Sequence, residues 1–227
     1  MKFGRLVIAL VSVLTIVAAA ETPAVAGTPP PDGTGGPGGC GLSGSMQFKP
    51  ALVNGGTAPT AVKLKLKTFK GGECQAGTGD GANVATLQLS GSGTSPDNNC
   101  STLLWAGMLA QTHSLALTET IKWKMRKGST PSKISNSSIH SFQLRSYGLT
   151  PPGSTVPHVS LYISQTDGAL IASGSFKTHE AAQLFQTDQD ANEIATACAG
   201  KGIKKLTFGV KASKDDLVKG IGVVDIF

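Results

Sequence analysis

From Leu42 onward the chain alternates apolar and polar residues in short runs. Leu42, Met46 and Phe48 fall in phase until Pro50, which predicts a first strand ending there. Val62, Leu64 and Leu66 share one face of a second run, with Lys63, Lys65 and Lys67 on the other. Ala85, Leu87 and Leu89 repeat the pattern against Thr86, Gln88 and Ser90. Ile121, Trp123 and Met125 do so against Lys122, Lys124 and Arg126. His140, Phe142 and Leu144 oppose Ser141, Gln143 and Arg145, and Val159, Leu161 and Ile163 follow. Asp167-Gly168 is a hairpin signal leading into Ala169–Ala172. Leu206, Phe208 and Val210 predict a late strand, and Ile221–Phe227 a last one.

One helix breaks the series. Thr187 or Asp188 can cap a segment containing Ala191, Ile194 and Ala195, with Gly200 to end it and Cys198 in its last turn. Many short one-sided strands and one helix near the C-terminus predict an all-β fold, either an antiparallel β-sandwich or a small β-barrel. Alternation alone does not separate the two. Abundant Gly, Ser and Thr with few aromatics suit strands and tight turns and exclude a helical bundle.

The N-terminal residues read differently. Lys2 and Arg5 precede an apolar run from Leu6 to Ala20, too short for a comfortable membrane span, and small-residue cleavage sites follow. We expect residues 1–26 to be a signal peptide, residues 27–39 a Pro/Gly-rich linker, and residues 40–227 a single domain. The linker contains a formal G-x-G-x-x-G at Gly33, Gly35 and Gly38, but no strand precedes it and no helix follows, so it does not bind a dinucleotide. Loss of Lys2, Arg5 and Glu21 takes the formal net charge from +6 to +5.

Cys40, Cys74, Cys100 and Cys198 make an even, well-separated set, which outside the cytoplasm reads as two disulfides. Three pairings are open; we expect Cys40–Cys74 with Cys100–Cys198. Zinc spacing is absent, with no Cys-x-x-Cys and no closely spaced histidines, and we expect no metal and no cofactor.

Catalytic templates fit poorly. There is no G-x-S-x-G. His179-Glu180-Ala181-Ala182-Gln183 approaches H-E-x-x-H but places a neutral amide where the second ligand must be, and reads as a loop running into a strand. Thr130-Pro131-Ser132-Lys133 lacks a serine nucleophile and reads as a loop. His140 lies in phase with apolar neighbours, His158 stands at a strand entry and His113 has no acidic neighbour. Asn99-Cys100-Ser101 and Asn136-Ser137-Ser138 match the N-glycan acceptor pattern. We therefore expect a non-enzymatic protein.

The two cationic stripes carry the most information. Lysines on a strand can serve solubility and edge protection. Alternatively, Lys63, Lys65, Lys67, Lys122, Lys124 and Arg126 form a basic sheet face for a polyanion, either an acidic envelope polymer or lipid headgroups. Nucleic acid fits less well, because no exposed aromatics are interleaved with the cations. A third possibility is a carrier for an apolar lipid, with Trp123, Met125 and Phe142 lining a barrel cavity. A hydrolase with a triad assembled in space comes last.

"CGLSGSMQFKPALV", "GGECQAG", "NNCSTLLWAG", "GALIASGSF" and "ATACAGKGIKKLTF" together resemble a group of secreted actinobacterial four-cysteine β-rich proteins. The resemblance spans about residues 40–212 and implies a secreted all-β domain. It supplies no catalytic residues. The lysine-rich strands and the long 127–157 segment depart from that group's pattern.

Overall fold

The computed structural model describes residues 39–75, 77, 79–104, 117–140, 143–149, 158–164, 171–177, 179, 181–210 and 223–226. The expected signal peptide, most of the linker, His113, Phe142 and the Asp167-Gly168 turn lie outside them.

Among the described residues, ten strands follow in chain order: β1 (Cys40–Leu52), β2 (Thr60–Thr68), β3 (Val84–Ser95), β4 (Leu117–Met125), β5 (Ser137–His140), β6 (Gln143–Leu149), β7 (His158–Ser164), β8 (Ala181–Asp190), β9 (Ile203–Phe208) and β10 (Val223–Ile226). Helix α1 (Cys100–Leu104) follows β3, and α2 (Ala191–Ala199) follows β8. All pairings between these strands are antiparallel, in the order β5-β4-β3-β2-β1-β10-β8-β7-β6, with β9 joining β1 to β8. The path is open, ending at β5 and β6, and it folds over so that β4 meets β8 through a Glu119–Gln183 hydrogen bond. Two facing layers whose strand path does not close among the described residues make a sandwich, with an isolated Ser138–Ser173 bridge on the outer side of β5.

Alternation decides what lies between the layers. Strand β2 reads buried–exposed without a break from Thr60 to Thr68, burying Val62, Leu64 and Leu66. These meet Met46, Leu89, Ile121, Leu206 and Phe208 in one apolar cluster, where Phe185 of β8 packs 5.7 Å from Phe208. Each fully buried aliphatic or aromatic side chain stabilises the fold by about 2 kcal/mol relative to exposure.

Several expectations change. β1 runs past Pro50 to Leu52; its pairing with β2 ends at Lys49, and its register with β9 shifts between Gln47 and Leu52, so the missing N–H falls where the ladder is already irregular. The single strand expected around His140–Arg145 is two strands: β5 pairs with β4, while β6 pairs with β7 in the other layer. The helix starts later than expected. Thr187 and Asp188 are still in β8, which pairs with β7 as far as Asp190. Asp190 is the cap: its carboxylate accepts from the Glu193 N–H at 2.8 Å, and the Glu193 carboxylate accepts from the Asp190 N–H at 3.1 Å. Asp188 is occupied elsewhere, accepting from the Val210 N–H at 3.2 Å.

Both disulfides pair as expected, Cys40–Cys74 and Cys100–Cys198. The first pins the start of β1 to the loop after β2, and the second joins α1 to α2. Backbone bonds around the second bridge draw the end of β1 into the same junction: Val53 N–H donates to Asn98 O at 2.9 Å, and Asn54 N–H to Cys198 O at 3.0 Å. Gly202 leaves this junction at φ +79°, where an added Cβ would stand 2.7 Å from Leu52 O. The chain-entropy model weights the bridges by loop length, 98 residues against 34. Replacing Cys100 and Cys198 together by alanine should cost about 4–5 kcal/mol, roughly 1 kcal/mol more than the Cys40/Cys74 double replacement, with urea unfolding as the measurement.

Candidate functional site: a basic sheet face and a buried carboxyl

The outward face of β1–β4 and β9 collects the cations. β2 lies between β1 and β3, so edge protection does not explain Lys63, Lys65 and Lys67. β4 pairs with β5 only over Thr118–Ile121, so among the described residues its Lys122–Lys124 half has a neighbouring strand on the β3 side alone. β3 separates the stripes. Strand spacing of about 4.8 Å puts the β2 and β4 columns roughly 10 Å apart, about one Debye length at 0.1 M salt. Their fields therefore overlap, while no two cations stand directly opposed.

The register shows how that is achieved. Lys63 faces Gln47 on one side and Ser92 on the other; Lys65 faces Ser45 and Ser90; Lys67 faces Ser43 and Gln88. Gln88 in turn faces Lys122, Thr86 faces Lys124, and Thr120 faces Ser90. Each β2 lysine is thus flanked by short or neutral polar side chains, which avoids the cost of like charges on adjacent strands. Lys63, Lys65, Lys67, Lys122 and Lys124 are all exposed, and none has an ion-pair partner among the described residues. Two further exposed lysines belong to the same face: Lys49 at the end of the β1–β2 ladder, and Lys205, which faces Gln47 from β9. No outward position in these ladders carries Asp or Glu.

Arg126 is set apart from the other five candidate cations. It is half-buried, its guanidinium donates to the Glu73 carboxylate and, at 2.8 Å, to Cys74 O, and its backbone N–H donates to Asn83 O at 2.7 Å. Its charge is spent on holding the Cys74 loop against the end of β4.

The acid nearest the second stripe points the other way. Glu119 is in phase with Leu117 and Ile121, so the pleat carries it into the core at 0% exposure. Gln183 Nε2 donates to Glu119 Oε2 at 2.6 Å, while Oε1 of both residues lacks a partner among the described residues. Gly91 stands opposite on β3, where a Cβ would come within 2.9 Å of the Glu119 Cγ; glycine leaves room for the carboxyl. Burial pushes the Glu119 pKa up from 4.5 to about 7, against a smaller lowering by the Gln183 amide. Protonation makes chemical sense here, since it turns one of several crowded acceptors into a donor. The sequence holds the signal, because Glu119 sits two residues from Leu117 and from Ile121, in the phase of the apolar face.

Catalytic constellations are not assembled by the described side chains. His158 Nδ1 lies 2.7 Å from Thr187 O, and the buried His179 has Nδ1 3.4 Å from Lys177 O and its ring 5.9 Å from Phe176. Gln183 of the H-E-x-x-H-like segment is bonded to Glu119, and no group of three metal-ligating side chains occurs among the described residues. Thr130–Lys133 is an exposed loop. Asn99 Oδ1 accepts from the Gly55 and Ser101 N–H groups at 3.2 and 3.1 Å, whereas Asn136 is exposed.

Of the three residues expected to line a cavity, Trp123 and Met125 are packed, and Phe142 lies outside the described residues. Trp123 Nε1 donates to Ser137 Oγ at 2.9 Å, its ring meets Phe176 edge-on at 5.0 Å, and Met125 is buried. A groove of about 470 Å³ lies between α2 and β9, with Ile194, Ala197 and Leu206 among its apolar lining and Glu193, Lys201, Lys204 and Lys205 as its charged residues. No helix among the described residues is long and apolar enough to cross a membrane. No protein-family model, curated protein or solved structure matches the chain.

Glu119 generates a signed pH dependence. Below pH 4.5 the carboxyl is neutral in both folded and unfolded chains and costs nothing extra. As pH rises towards 7 the unfolded state ionises first, so stability falls, and above pH 7 the full penalty of about 3 kcal/mol applies. Glu119→Gln should therefore gain stability over the native chain between pH 5 and 8 and show no such gain at pH 4, as measured by urea unfolding across that range. A pH-independent difference would mean that the carboxyl does not titrate in this window.

Proposed function

We propose that the protein is an exported, non-enzymatic β-domain that associates with an anionic partner at the cell envelope through its basic sheet face. One observation carries the reading: five exposed lysines, three of them on the interior strand β2 and two on β4, share a face whose outward ladder positions hold no acid. β2, paired on both sides along its lysines, needs no edge protection, and solubility alone is served as well by mixed charges. A single-sign field with overlapping columns attracts a polyanion and concentrates it at the surface. The two disulfides fit a compartment outside the reducing cytosol. The apolar run after Lys2 and Arg5 supports export. Kinship with the secreted four-cysteine group belongs to the same proposal, supported by the segments opening at Cys40 and at Ala195.

The binding set is Lys63, Lys65, Lys67, Lys122 and Lys124; Arg126 contributes less because Glu73 neutralises it. An anionic surface attracts each lysine by about 1 kcal/mol, so replacing Lys63, Lys65 and Lys67 together by glutamine should weaken retention on isolated cell walls on the order of a hundredfold at low salt. The same triple variant should show a flatter loss of retention with added salt. Retention equal to that of the native chain in a low-salt pull-down would sink the proposal.

A further inference from the structure

We propose that one extended, linear phosphodiester chain crosses this face obliquely, along a track of lysines from Lys205 on β9 to Lys124 on β4. The inference rests on the polyanion reading above and adds the ligand's chemistry and course. Lys205 and Lys63 share a row, two strands apart across Gln47. Lys65 and Lys67 climb β2 from there; Lys67 and Lys122 share a higher row across Gln88, and Lys124 stands one step beyond. At about 4.8 Å between strands and 6.8 Å between alternate residues, the ends of the track stand roughly 28 Å apart in a straight line and roughly 40 Å apart along the lysines.

Its shape selects the partner. A bilayer or a globular acidic protein meets the face all at once and needs no connected path. A linear polymer does need one, because its charges arrive in series. The groups flanking the track select the chemistry. Ser45, Ser90 and Ser92 place hydroxyls beside the ammonium groups, and the non-bridging oxygens of a phosphodiester accept from both. The aromatic in this phase, Phe69 just beyond the β1–β2 ladder, is half-buried with its ring against Gly41 and Gly72, and no aromatic or large aliphatic side chain stands at an outward position within the ladders, so the track offers bases and sugar rings no free stacking platform and a bilayer no apolar anchor. Recognition is of backbone charge at its spacing.

The test is fluorescence anisotropy of abasic phosphodiester oligomers of graded length, some shorter and some longer than the track, against the full chain at low salt. Affinity should rise with length until the oligomer spans the track and then level off. Lys205→Gln should weaken the long oligomers about fivefold and lower the log–log salt slope by about one. Short oligomers, which still fit on Lys65, Lys67 and Lys122, should change little. Lys133→Gln, in an exposed loop whose Ser135 hydroxyl contacts Ser175, should change neither. Affinity independent of length, or long-oligomer binding indifferent to Lys205→Gln, overturns the track even where polyanion binding persists. Tighter binding to phosphatidylglycerol–phosphatidylcholine vesicles than to the longest oligomer assigns the face to a membrane and also overturns it. Failure of every oligomer while isolated walls retain the protein removes the phosphodiester chemistry alone; failure of both removes the polyanion reading beneath it.

Discussion

In a pleated strand no residue chooses its face independently of its neighbours, and the molecule is organised around that constraint. On β4, sending Lys122 and Lys124 to solvent sends Leu117, Ile121 and Met125 inward, and Glu119, in the same phase, goes with them. The exposed cations and the buried acid are consequences of one alternation. The core tolerates the acid because Gly91 makes space, Gln183 donates to it, and burial raises its pKa until a neutral carboxyl is accessible. A carboxylate on the opposite phase would have lain among the lysines and weakened their field.

The same pleat governs how so much positive charge is carried without breaking the sheet. Lysines two residues apart on β2 are about 7 Å from each other, where repulsion through water is well under 1 kcal/mol per pair. Across strands the risk is greater, and there the register interposes Ser43, Ser45, Gln47, Gln88, Ser90 and Ser92. The stripes stay close enough for their fields to overlap and far enough apart to leave β3 undisturbed. The remaining stripe cation, Arg126, is turned to structural use beside the Cys40–Cys74 bridge.

Cross-links close the sandwich where the strands do not. The Cys100–Cys198 bridge, the Asn98 and Cys198 carbonyls and the positive-φ Gly202 gather α1, α2 and the end of β1 at one junction. This lets β9 return beside β1 in mid-sheet, which places Lys205 on the basic face although it is far from the other lysines in sequence. The basic face assembled from β1, β2, β3, β4 and β9 thus depends on a covalent tie at its far end.

The sequence by itself determined the properties that depend on local periodicity and side-chain chemistry. Period-two runs identified the all-β class, the faces of β2, β3 and β4 and both cationic stripes, because alternation is enforced within a single strand. Gly200 marked the end of α2, since a helix needs a residue free to leave it. Other features were decided only by tertiary structure. Pairing order is set by contacts between distant segments, so the chain alone did not show that β3 stands between the stripes, nor that His140 and Gln143 belong to different layers. β8 was obscured because Gln183, Gln186 and Thr187 are buried polar residues whose inward placement needs partners supplied from elsewhere. The helix cap moved to Asp190 because β8 continued to pair with β7 through the earlier candidates. The fate of Arg126 was likewise a tertiary matter: whether a cation is free or paired depends on which acid the fold brings beside it, and Glu73 is more than fifty residues away in the chain.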